Sequence, residues 1–312
     1  MSVGIESIAS YIPEGRRNNL ERLEKFDTDE KFLREKLGIL EVAVAGEHEE
    51  AADLCESAFR ALEKKTGALE ENSIDALVVV TQTPGEKIPH VSAILHGRLG
   101  LSPRCACFDI SLGCSGWVYG INVLRALMET NRYRKGLLFT ADPYSKILNP
   151  EDRNTALLFG DAASVTLLSE NAVLSIGHGA ARTNGSESGR LATRNGILEM
   201  DGRAIFNFCA REIPADIREA VELNGTDLEE IDRIILHQGS KFIVDTITRR
   251  LGIPPEKVAF GIEHCGNTVS SSIPLLLEKE LENTAARRIV VSGFGVGLSW
   301  ASAVLTRISP SA

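Results

Sequence analysis

No apolar run in this 312-residue chain approaches the roughly 20 residues needed to span a bilayer, so no membrane-spanning helix and no membrane partner are expected. The first residues, Met1-Ser2-Val3-Gly4-Ile5-Glu6, lack both a basic segment and an apolar core, so no secretory leader is expected. Positive charge is in deficit. Thirty-four Lys and Arg stand against 43 Asp and Glu, a net charge of −9, which argues against nucleic acid as the main partner. The six cysteines contain no C-x-x-C pair, and Cys105-Ala106-Cys107 alone does not make a metal site. They read as free thiols in a reducing, cytoplasmic compartment. No Pro/Ser-rich linker divides the chain, so one compact body is expected. What remains is ordinary for a globular protein with a large core: 43% hydrophobic and 25% charged residues.

The chain repeats itself. Arg98-Leu99-Gly100-Leu101-Ser102-Pro103 returns as Arg250-Leu251-Gly252-Ile253-Pro254-Pro255, 152 residues later. Before the copies stand two similar apolar runs, Ile74–Val80 and Ile231–His237. Such runs suit strands buried on both faces. After the copies come Phe108-Asp109-Ile110 and Val258–Ile262, each read as a short strand, then a turn and an apolar helix. Three matching segments in one order point to a duplication, with halves 1–170 and 171–312. Later strands are read at Lys135–Thr140, Ala156–Leu168, Arg288–Ser292 and Leu298–Ile308. Strands alternating with helices predict an α/β fold with mainly parallel sheets.

Cys114 lies where the first of these strands turns into its helix, between Gly113 and Ser115-Gly116. A thiol there faces the unpaired N–H groups of a helix N-terminus, which favour a thiolate. His237 ends the strand Ile234-Ile235-Leu236, where an open α/β sheet presents its ligand crevice. Asn267 precedes the helix read at Val269–Glu282 and falls, under the duplication, within one residue of the position matching Cys114. A Cys, a His and an Asn on facing turns suit carbon–carbon bond formation on thioesters. The thiolate takes an acyl group from one thioester. A malonyl thioester then loses CO2, and His237 Nε2–H and the Asn267 amide stabilise the enolate oxygen. Backbone N–H groups of Cys114 and of the glycine-rich turn Gly293-Phe294-Gly295-Val296-Gly297 would form the oxyanion hole.

Several motifs in order resemble the β-ketoacyl-acyl carrier protein synthase III family of the thiolase superfamily. They are Asp109–Gly116, His237-Gln238, His264-Cys265-Gly266-Asn267-Thr268, Phe159-Gly160-Asp161-Ala162-Ala163 and Gly293–Trp300. The resemblance implies a thiolase-like, five-layered αβαβα fold and a homodimer. It implies a Cys114-His237-Asn267 triad with ping-pong kinetics and an oxyanion hole at Cys114 and Val296. The implied reaction condenses an acyl-CoA or acyl-carrier starter with malonyl-acyl carrier protein. CoA and phosphopantetheine thioesters enter as substrates, and no cofactor is implied. Phe32, Lys36 and Arg153 fall where the family clamps the CoA adenine, and Ser240 where it contacts pantetheine. Lysine in place of a planar guanidinium weakens that clamp and makes a carrier-bound starter more plausible. Ile88 stands where the family often closes the acyl pocket with a Phe from the neighbouring subunit, so a longer or branched starter is expected to fit. Lys241, Arg249, Arg250 and Arg203 are the candidate rim for docking an acidic carrier protein. Ser292-Gly293-Phe294-Gly295 lacks the second cysteine of degradative thiolases. A family member that transfers its acyl group to a hydroxyl or amine remains the alternative.

Overall fold

The computed structural model describes residues 3–70 and 73–309. Its main sheet contains β1 (Gly4–Tyr11), β2 (Ala76–Val80), β3 (Ala106–Ile110), β4 (Lys135–Ala141), β5 (Ala163–Ser169), β6 (Leu174–Thr183), β7 (Arg233–Leu236), β8 (Arg288–Gly295) and β9 (Ser299–Arg307). Their order in space is β7-β8-β9-β6-β1-β5-β4-β2-β3. β1 and β6 touch only through Gly4↔Ser175 and Ile5↔Leu174, so the sheet is two units joined at a narrow seam. In the first unit β3/β2 and β2/β4 are parallel, while β4/β5 and β5/β1 are antiparallel. In the second, β7/β8 is parallel, while β8/β9 and β9/β6 are antiparallel. Val258 adds one parallel bridge beside Ile234. Order and sense therefore repeat from one unit to the other.

Three expectations are corrected. The sheets are mixed rather than mainly parallel, because β4–β5 and β8–β9 return without a crossover helix on the sheet, which only parallel neighbours require. The strand read at Val258–Ile262 reduces to its single bridge, and the one read from Ala156 begins only at Ala163. Residues before Ala163 are diverted: Gly160 donates its N–H to the Asn267 carbonyl at 3.0 Å. A side chain on Gly160 would meet the Cys265 carbonyl oxygen at 1.9 Å, so only glycine permits this crossing.

The longer helices are α1 (Ala51–Thr66), α2 (Val91–Arg98), α3 (Gly116–Asn131), α4 (Gly202–Leu223), α5 (Lys241–Leu251) and α6 (Ser272–Leu281). α1 shows the local logic. Glu50 and Asp53 form a reciprocal capping box at its start. Leu54, Cys55, Ala58, Phe59 and Leu62, spaced three and four apart, are buried. α1 and α2 cover the outer face of the first unit, and α4 and α5 that of the second. α3 and α6 lie between the units and pack on strands of both. The result is the five-layered thiolase-like αβαβα arrangement, with one buried apolar cluster under each outer helix layer and a third around the central helices, reaching both sheets. No described helix is long and apolar enough to cross a membrane.

Candidate active site

Cys114 follows β3 through a tight turn in which Gly116 N–H donates to the Gly113 carbonyl at 2.7 Å, and α3 starts immediately after it. The end of β8 runs against this turn. A Cβ on Gly295 would lie 2.7 Å from Cys114 Sγ, and one on Gly293 would lie 2.7 Å from the Cys114 carbonyl oxygen. Both glycines are needed for that approach. It places the Val296 N–H near the sulfur, and this group and the Cys114 N–H both favour the charged form of the thiol.

His237 closes β7. Its N–H donates to the Ser292 carbonyl at 2.7 Å, and its ring meets Phe294 edge-on with centroids 5.4 Å apart. Nδ1 lies 2.8 Å from Ser272 Oγ, at the first residue of α6. Burial drives the imidazole down to about 3, so it is neutral throughout the physiological range. Asn267 sits on the turn before α6. Its backbone N–H donates to the Leu158 carbonyl at 2.8 Å. Its Oδ1 accepts the Val269 N–H at 3.0 Å, which leaves the Nδ2 donors for a ligand. Val269 holds φ at +52°, a strained value for a β-branched residue, in making this bond.

Three consecutive serines tie this turn down. Ser270 donates to Asp142 Oδ2 at 2.5 Å, Ser271 lies 2.8 Å from Thr140 Oγ1, and Ser272 holds His237. All three hydroxyls are buried. Sequence reading passed over them, although a Ser270-Ser271-Ser272 run entering an apolar helix was the available signal.

Cys114, His237 and Asn267 line one cavity of about 330 Å³. Each is almost fully buried. Exposed Arg153 and Arg203 border the same cavity, so it is a tunnel with the three residues at its inner end. Phe32 and Ser240 also line it, as do Phe206, Phe242, Leu191 and Met200, which sequence reading missed. Ser240 additionally caps α5 by accepting the Ile243 N–H.

Apart from Ile88, the other expected contact residues lie at the tunnel mouth or beside it. Lys36 does not line the tunnel. Its ammonium stands 4.2 Å over the Phe242 ring, because Phe242 offers it an aromatic face on α5. Arg153 stacks directly on Phe32 at 4.8 Å and also donates to the Asp27 carbonyl. Lys241 and Arg249 line an adjoining groove on α5, where Asp245 neutralises Lys241 at 2.8 Å. Arg250 is exposed beyond that groove. Arg203 stands in the tunnel mouth with no ion pair or hydrogen bond from its side chain among the described residues. Ile88 is 87% exposed and lines no part of its own chain's tunnel.

The electrostatics correct one expectation. Cys114 is a thiol, not a thiolate: burial first, then Asp142, push it up to about 12. The two N–H groups at the sulfur act in the opposite direction and are outweighed. Asp142, fully buried, is itself raised to about 6 by burial. Removing its charge favours the thiolate. Asp142→Asn is therefore expected to speed iodoacetamide alkylation of Cys114 at pH 8 by about fivefold. Alkylation no faster than in the wild type would contradict this.

Such a site, a buried thiol and neutral imidazole at the end of a tunnel in a duplicated αβαβα scaffold, defines a thiol-dependent condensing enzyme of the thiolase type. Comparison with known proteins narrows the class. The family described as 3-oxoacyl-[acyl-carrier-protein] synthase III matches residues 108–185, and its C-terminal part matches residues 221–307. A β-ketoacyl-[acyl-carrier-protein] synthase III from Enterococcus faecalis is 33% identical, over 97% of this chain and 98% of its own. One from Acidiphilium cryptum is 32% identical, over 96% and 98%. A crystal structure of the Thermus thermophilus synthase III superposes with a TM-score of 0.91 at 31% identity, covering 98% of this chain and all of the other. The chain belongs to the β-ketoacyl-[acyl-carrier-protein] synthase III family.

Proposed function

We propose that this protein loads an acyl group from a thioester onto Cys114 and condenses it with malonyl-acyl carrier protein, releasing CO2 and a β-ketoacyl thioester. One observation carries the reading: Cys114, His237 and Asn267 line one tunnel, with two backbone N–H groups near the sulfur. The names of the relatives support condensation over acyl transfer to a hydroxyl or amine.

The resting thiol needs a base, and neutral His237 Nε2 is the available acceptor. Nε2 takes the Cys114 proton as sulfur attacks the thioester carbonyl, then gives it to the departing thiolate. The tetrahedral oxyanion lies between the N–H groups of Cys114 and Val296. In the second half the malonyl carboxylate leaves as CO2, and the enolate oxygen takes hydrogen bonds from His237 Nε2–H and Asn267 Nδ2. The enolate carbon attacks acyl-Cys114, and the released thiolate takes up a proton. His237 must therefore present a lone pair first and an N–H later. Ser272 suits both, since its hydroxyl is within reach of Nδ1 at 2.8 Å and of the Val269 carbonyl at 3.1 Å. Accepting from Nδ1–H leaves Nε2 bare, while donating to Nδ1 leaves Nε2 protonated.

The pantetheine arm enters past Phe32, Arg153 and Arg203. An adenine must displace Arg153 from Phe32 to stack there, which favours a carrier-bound starter alongside CoA. Arg203, Lys241, Arg249 and Arg250 form the docking face for the acidic carrier. A homodimer completes the reading: the apolar, outward Ile88 is available to a partner's acyl pocket. Mass spectrometry of the products formed from acyl thioesters and malonyl-acyl carrier protein tests the assignment. A β-ketoacyl carrier thioester is expected, and esters or amides without CO2 release would contradict it.

A further inference from the structure

Two pantetheine arms must reach Cys114 in turn, and one tunnel ends there. While the malonyl arm fills it, the acyl group already on the sulfur has to lie on the sulfur's other side. Gln82 and Tyr144 stand beside the turn that carries the nucleophile, and neither lines the tunnel. Gln82 lies directly over the residue before the nucleophile: a Cβ on Gly113 would sit 2.5 Å from Gln82 Oε1. Tyr144 is 2% exposed, packs in the same cluster as Cys114, and donates its hydroxyl to Gln82 Oε1 at 3.0 Å. The pair is held rigidly. Gln82 N–H donates to Asp142 at 2.7 Å, and the Tyr144 ring rests on Phe159 at 5.2 Å.

With Oε1 engaged by Tyr144, Gln82 still has two N–H donors on Nε2, and these make no hydrogen bond among the described residues. The neighbouring Thr83 hydroxyl is buried and likewise without a partner among them. An alkyl chain pressed against this wall would strip water from Nε2 and offer nothing in return. An oxygen would accept from it. A carboxylate would face the buried Asp142 through the same residue, so a neutral oxygen suits the wall better.

We propose that the starter acyl group carries a neutral hydroxyl or carbonyl oxygen, which Gln82 Nε2 recognises beside Cys114. This rests on the condensing-enzyme reading above and adds to it the substrate class. The test follows acylation of Cys114 by intact-protein mass spectrometry with butyryl-CoA, 3-hydroxybutyryl-CoA and 4-hydroxybutyryl-CoA. One of the hydroxyacyl thioesters should acylate about tenfold faster than butyryl-CoA. Gln82→Leu should slow that substrate, speed butyryl transfer and reverse the ratio. Tyr144→Phe, which frees the carboxamide to turn, should cut the ratio about threefold. Butyryl-CoA at least as fast as both hydroxyacyl thioesters in the wild type, or a ratio indifferent to both substitutions, would overturn the proposal while leaving Cys114 as the acyl acceptor. Failure of every thioester to label Cys114 would overturn the underlying reading as well.

Discussion

Cys114→Ala is expected to abolish covalent acylation and to lower condensation by roughly four orders of magnitude or more. The expectation comes from the architecture around one atom. Gly293 and Gly295 let the chain approach Sγ, the N–H groups of Cys114 and Val296 lie near it, and His237 lines the same cavity. No other thiol has this company. Cys209 also lines the tunnel, but burial raises it strongly and no second pair of N–H groups faces it. The variant should fold, because the loss is one sulfur atom. Intact-protein mass spectrometry after incubation with an acyl thioester is the readout. An acyl adduct retained on the Cys114→Ala protein would contradict the assignment.

The second large effect separates the two half-reactions. Asn267→Asp keeps an oxygen for the Val269 N–H, and so preserves the strained turn, but replaces the Nδ2 donors by a negative oxygen. Acylation should persist. Decarboxylation should fall by about a hundredfold to a thousandfold, the range typical of losing one oxyanion donor. His237→Ala should lose decarboxylation to a similar degree and should also slow acylation, since the thiol near 12 then lacks its base. The two variants thus differ in the first half-reaction and agree in the second. Carbon dioxide release from a malonyl thioester, measured beside the acylation rate, distinguishes them. Because His237 is neutral down to about 3, the decarboxylation rate should show no inflection near the usual histidine value. Undiminished condensation by Asn267→Asp would contradict the role given to its amide.

The parts of the site carried by backbone punctuation were legible in the sequence. Gly113-Cys114, the end of the run at His237 and the Gly266-Asn267 turn each mark a place where a strand stops, and hydrophobic periodicity locates such stops well. Sheet sense was not legible in the same way. β9 is a nearly continuous buried run, and such a run looks alike whether its neighbour is parallel or antiparallel. Long side chains were the other gap. Lys36 could reach either the tunnel mouth or the Phe242 ring, and only packing decides between them. The protonation of Cys114 is not legible in the sequence for a related reason. The helix N-terminus is a local feature visible in the chain, whereas Asp142 arrives from the end of β4 through tertiary contacts. Gln82 and Tyr144 meet by the same long-range route.

A single-turnover rapid-quench experiment shows whether both half-reactions run through the one sulfur. Enzyme pre-acylated on Cys114 is mixed with malonyl-acyl carrier protein labelled in its free carboxyl group. Loss of the acyl group from the Cys114 peptide and appearance of labelled CO2 should follow one rate constant in equal amounts. Acyl loss without CO2, or CO2 released while the acyl group stays on Cys114, would contradict the account.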